Sequence, residues 1–117
     1  MLTTHDQDLY IGPECDRNKG LLKLSYPMTH GNVTNWEDME KIWGYILKEM
    51  KVSASQHPIL ISEPIENSMI NREKTAEAFF ETMGAPALYF QTQPILSLYA
   101  QGKTTGFVLD CGDGVTQ

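Results

Sequence analysis

Cysteine is scarce in this sequence: the two present, Cys15 and Cys111, lie far apart in unrelated contexts. A disulfide scaffold is excluded, no His/Cys spacing makes a zinc site, and both thiols are expected to be free in a reducing, soluble compartment. Basic runs are missing too. The formal net charge is −6, and no cluster of Lys and Arg offsets the repulsion this sets up against nucleic acid or anionic lipid. Neither partner is expected. No apolar run reaches membrane length, no signal-peptide core is present, and no repeat, low-complexity tract or Pro/Gly/Ser-rich linker divides the chain.

What remains is ordinary globular material: 117 residues, 41% hydrophobic and 21% charged, enough for one core. Met1 to Asp8 is polar, without periodicity, and reads as a frayed start. Leu9-Tyr10-Ile11 before Gly12-Pro13 predicts a short strand, and Leu21 to Leu24 a second. From Asn35 to Met50, Trp36, Met39, Ile42, Trp43, Ile46, Leu47 and Met50 recur every three or four positions, which predicts an amphipathic helix. Thr34 and Glu37 stand at capping-box spacing before it, and Gly44 interrupts it.

Ile59-Leu60-Ile61 predicts a buried strand, and the polar stretch from Glu63 to Ile70 the best internal boundary. Asn71 is placed to cap a second helix with Ala76, Phe79, Phe80 and Met83 on its apolar face, ended by Gly84 and Pro86. Ala87 to Phe90 predicts another strand, Pro94 to Ala100 a short helix closed by Gly102, and Phe107-Val108-Leu109 a last strand. Alternation of strands and helices predicts an α/β layer, with Asp113-Gly114 opening a hairpin.

The chemistry gathers at that hairpin. Asp110-Cys111-Gly112-Asp113-Gly114 sets two carboxylates and two glycines in one turn, where backbone N–H groups can approach phosphate oxygens and a carboxylate can hold Mg²⁺ through water. By itself the turn reads as a plain hairpin. Gln93 by itself is a polar residue before a helix, His30 and His57 read as structural, and Trp36 and Trp43 as core. Cys111 has no neighbour in sequence that would make it a nucleophile.

Longer stretches decide between these readings. Tyr26-Pro27-Met28 with His30-Gly31, Val33 to Trp43, His57 to Leu60, Asn71-Arg72-Glu73-Lys74, Phe80-Glu81-Thr82, Leu96 to Ala100, Thr104-Thr105-Gly106 and Asp110 to Thr116 follow one another in an order that resembles the actin family. The likeness runs from about Leu9 to the end. Tyr10 to Pro13, Gly20-Leu21-Leu22, Tyr26-Pro27-Met28, Glu77 to Thr82, Pro86-Ala87-Leu88 and Val108-Leu109-Asp110 are more similar to the centractin branch, which forms the short filament of dynactin.

The resemblance implies a partial actin-like ATPase domain, a ribonuclease H-like βαβ layer with a strand-rich N-terminal extension. Residues 1–109 would be part of the small (outer) domain, and 110–117 the start of the large-domain phosphate hairpin. It implies ATP or ADP with Mg²⁺ as cofactor, Asp110 orienting the cation through water, and the backbone of Gly112, Asp113, Gly114 and Val115 holding phosphates. Gln93 matches the glutamine that positions the attacking water, as a neutral amide can. Two positions depart from the family: Gln117 replaces a histidine near that water, and Cys111 replaces a serine. The Pro64 to Ile70 connection departs as well.

The family's other phosphate hairpin and its adenosine contacts are not in the sequence, so the resemblance implies a fragment that inherits its function from a longer, slow ATPase and is inactive alone. Filament self-association, dynactin subunits as partners, and a cytoplasmic, cytoskeletal location follow from the same likeness. Two alternatives are a sugar or acetate kinase of the same fold and a non-catalytic interaction fragment. With the helix bearing Ile95, Leu96 and Leu98 uncovered, the isolated chain is expected to be marginally stable.

Overall fold

Asn35 starts the longest helix, α2 (Trp36–Glu49), in a computed structural model that describes residues 9–117. Its side-chain oxygen accepts the Asp38 amide at 3.1 Å, and its Nδ2 donates to the Asp38 carboxylate at 2.8 Å. Asn35 is therefore the cap, in place of Thr34. Thr34 instead donates its hydroxyl to the Pro27 carbonyl, which draws the chain entering α2 against the preceding segment. Glu37 reaches Lys41 one turn on at 2.7 Å, an exposed pair that adds little.

The α2 stripe is covered only at its start. Met39 and Trp43 are buried, whereas Ile46 and Met50 are exposed. Around the buried pair sit Ala78, Phe79 and Ala85, with Val33, Ile59, Ile61, Met83 and Leu88 packed against them. The Trp43 and Phe79 rings lie 4.9 Å apart in a tilted arrangement, favourable for the ring quadrupoles.

Strand β3 (Ile59–Glu63) pairs in parallel with β4 (Leu88–Thr92), from Ile59 opposite Leu88 to Glu63 opposite Thr92. Helix α3 (Met69–Glu77) carries the crossover, as a parallel pair requires. This βαβ unit corrects the boundary expected at Glu63 to Ile70, because the strands on either side of that stretch share one ladder. Ser68 caps α3 by accepting the Asn71 amide at 3.2 Å, so the helix starts before Asn71, and Asn71 is its third residue. The chain then widens into a π-type turn, Ala78–Thr82, where the Met83 amide donates to Ala78 and Ala85 to Phe79. That wider turn carries Ala78 and Phe79 into the core and leaves Phe80 exposed, against the expected helical face.

Glu63 is buried at the end of β3. Its carboxylate accepts from Arg72 Nε at 3.2 Å and from Asn67 Nδ2 at 2.8 Å, and Arg72 also lies over the Phe90 ring, 5.1 Å from its centre. One ion pair thus ties β3, α3 and β4 together.

Upstream the sequence misleads. Leu9 to Ile11 and Leu21 to Leu24 are not strands; between them lies a five-residue helix, α1 (Pro13–Arg17), with Pro13 at its first position. The strands there are β1 (Met28–Thr29) and β2 (Asn32–Val33), antiparallel about His30-Gly31. Both turn residues have positive φ, 49° and 77°, as a two-residue hairpin turn demands. Helix α4 (Gln93–Ala100) follows β4 directly, with no buried residue and Gly102 at φ 68° beyond it. Phe107 to Leu109 forms no ladder, and Phe107 and Leu109 are exposed: an apolar run becomes a strand only beside a partner edge. The segment Met1 to Asp8 lies outside the described residues.

Candidate functional site

The last eight residues form the expected turn. Asp110 and Gln117 exchange both backbone hydrogen bonds, at 2.8 and 2.9 Å, and Cys111 bridges to Thr116. Inside this ladder the Gly112 amide donates to the Val115 carbonyl at 2.9 Å. A Cβ at Gly112 would lie 3.3 Å from that oxygen, so the closure is easiest with glycine. Gly112 therefore shapes the hairpin, while the amides of Asp113, Gly114 and Val115 have no acceptor among the described residues. These amides are left open to an acceptor from outside the described residues.

The hairpin is seated on the β1–β2 turn. His30 Nδ1 bonds the Gly114 carbonyl at 3.0 Å, and a Cβ at Gly31 would stand 3.3 Å from Val115 Cγ2. A carbonyl can only accept, so this bond requires the proton on Nδ1 of His30. His57, expected to be packed, is exposed and bonds the Ser53 carbonyl.

The structure brings Gln93 and Gln117 together although 24 positions separate them. Gln117 Nε2 donates to Gln93 Oε1 at 2.5 Å, and Gln117 Oε1 accepts the Ile65 amide at 3.2 Å. Gln93 is placed by the start of α4, and Ile65 by the loop leaving β3. Sequence reasoning passed over Ile65 because its contribution is a backbone N–H, which no side-chain identity reports. It read His30 as structural, and the structure adds which loop it supports.

Among the described residues no three His, Cys, Asp or Glu side chains converge as a metal site. Asp110 is a single, half-buried carboxylate at the hairpin's entry, and among the described residues no side-chain hydrogen bond engages it. That suits Mg²⁺ bound through water and phosphate oxygens better than a protein cage. Both cysteines are free thiols.

A family model described as Actin matches residues 2–117. The chain belongs to the actin family. Its α/β architecture, with the parallel β3–α3–β4 unit and the closing hairpin, fits a partial actin-like ATPase domain. It is thereby an actin-type cytoskeletal chain, and no described helix is long and apolar enough to cross a membrane.

Proposed function

We propose that residues 110–117 are one phosphate hairpin of the ATP site in a filament-forming protein of the actin family. The observation that carries this reading is the set of amides at Asp113, Gly114 and Val115 and the Asp110 carboxylate at the hairpin's entry, none of which has a hydrogen-bond partner among the described residues. These groups fit a magnesium nucleotide: the amides would take phosphate oxygens, and Asp110 would hold water on the cation. Bound Mg²⁺ would supply charge neutralisation on the phosphates. Gln93 would orient water by hydrogen bonding, and Gln117, in the place of a family histidine, would bear on hydrolysis more than on binding.

Residues 1–109 would then belong to the small domain, and 110–117 would begin the large one. Tyr10 to Pro13, Glu77 to Thr82 and Val108 to Asp110 resemble the centractin branch of the family. That likeness supports a place in the dynactin filament, in the cytoplasm and in microtubule-based transport.

Mg-ATP titration of the ¹⁵N-labelled chain tests the nucleotide reading. The Asp113, Gly114 and Val115 amides should shift first, while calorimetry gives a Kd weaker than about 1 mM, roughly −4 kcal/mol, because one hairpin does not enclose a nucleotide. Unmoved amides at those three positions would sink the assignment. Tighter binding would show that the chain holds more of the site than one hairpin.

A further inference from the structure

Oxygen and nitrogen of a side-chain amide are told apart by what they face. A backbone N–H can only donate, so the end of Gln117 facing Ile65 must be Oε1. Its Nε2 then points at Gln93 and needs an acceptor, which on that side chain only Oε1 supplies. We infer that Gln117 is a positioning residue: it relays the polarity of the Ile65 amide to Gln93, holding Gln93 Oε1 and leaving Nε2 as the outward, donating end. The chain of donors runs one way, from Ile65 through Gln117 to Gln93.

The backbone bonds between Gln117 and Asp110 anchor this relay to the hairpin, so the set of Gln93 is tied to the set of the phosphate turn. A neutral imidazole between the same two groups would take the same direction, because the nitrogen facing the Ile65 N–H must accept and the other must then donate. If Gln93 orients water, as read in the previous subsection, the relay occupies one of the two Oε1 lone pairs and turns N–H donors outward. Only this consequence rests on that reading; the relay itself stands on the three segments it joins.

The test is side-chain amide NMR on the full chain, without nucleotide, so that its outcome is independent of the Mg-ATP titration. In the unsubstituted chain the Gln93 and Gln117 NH₂ signals should be resolved and insensitive to pH between about 4 and 8, because neither amide titrates. Gln117→Glu removes the donor: above the new carboxyl's pKa, Gln93 must turn its Nε2 inward, and its signals shift. As pH falls and the carboxyl gains a proton, a donor returns and the Gln93 signals move back toward their original positions. Gln117→Leu should shift Gln93 with no pH response. The inference is overturned if Gln93 signals are unchanged in Gln117→Leu, or if Gln117→Glu shows no pH-dependent return while the Trp43 indole signal reports a folded core. Should Gln117→Glu not fold, Gln93→Glu is read instead. There the relay predicts that the Gln117 amide keeps donating and follows the new carboxyl's titration, and a Gln117 signal that ignores it is equally contrary.

Discussion

His30 Nδ1 and the Gly114 carbonyl, 84 positions apart, lie 3.0 Å from one another, so a hydrogen bond joins the β1–β2 turn to the closing hairpin where Gly31 leaves room for Val115. Gly31 has φ 77°, and a Cβ there would approach Val115 Cγ2 at 3.3 Å. Gly31→Ala is expected to cost about 1–2 kcal/mol from the left-handed backbone alone, and to shift the Gly114 and Val115 amides. Urea unfolding with an amide NMR spectrum measures both. His30→Ala, which frees an exposed carbonyl to water, should cost less than Gly31→Ala.

The core is small, so its aromatic contact carries much of the stability. Phe79 is 3% exposed and sits against Trp43. Phe79→Ala should remove about 3–5 kcal/mol, a large part of what a domain of this size holds. The cooperative loss of Trp43 fluorescence in denaturant should vanish or move to much lower denaturant. A midpoint like that of the unsubstituted chain would mean that the two rings do not anchor the fold.

Gly44 offers the opposite case. It lies within α2, and a Cβ there would meet nothing within 4 Å. Gly44→Ala is therefore expected to stabilise by about 1 kcal/mol through helix propensity. Thermal melting should rise; a fall would reveal a neighbour that packs against this face in solution.

The Ser25 hydroxyl, 2.7 Å from Asp38, holds that carboxyl below its ordinary pKa, aided by Lys41. A carboxylate depressed in the folded state stabilises above its unfolded pKa, and that contribution is lost as pH falls through the folded pKa. Ser25→Ala should thus be less stable than the unsubstituted chain at neutral pH, with the difference closing under acid. Melting curves across pH, with the Asp38 titration followed by NMR, check the sign. Lys41, raised mainly by its bond to Glu37, moves only at alkaline pH and does not confuse the acid limb.

Much was legible locally. The period of Trp36, Met39 and Trp43, the Gly84 and Gly102 stops and the Asp113-Gly114 turn depend on neighbours within a few positions, and each stands where the spacing places it. Three helix starts stand a residue or more from the expected Thr34, Asn71 and Pro94: Asn35 and Ser68 offer the same cap chemistry close by, and Pro94 is the second residue of α4. The N-terminal runs from Leu9 and from Leu21 failed as strands for another reason: β-branched and apolar character makes a strand only when an edge is available to pair.

The sequence by itself determined the family, the βαβ order and the hairpin, since ordered motifs and short-range periodicity survive in one dimension. Only the tertiary structure decided that Gly112 closes the turn while the Asp113, Gly114 and Val115 amides find no acceptor among the described residues. It alone seated His30 on Gly114 and set the direction of the Gln117 amide. Those outcomes rest on hydrogen bonds between distant segments, and a donor's direction depends on which group lies opposite it in space.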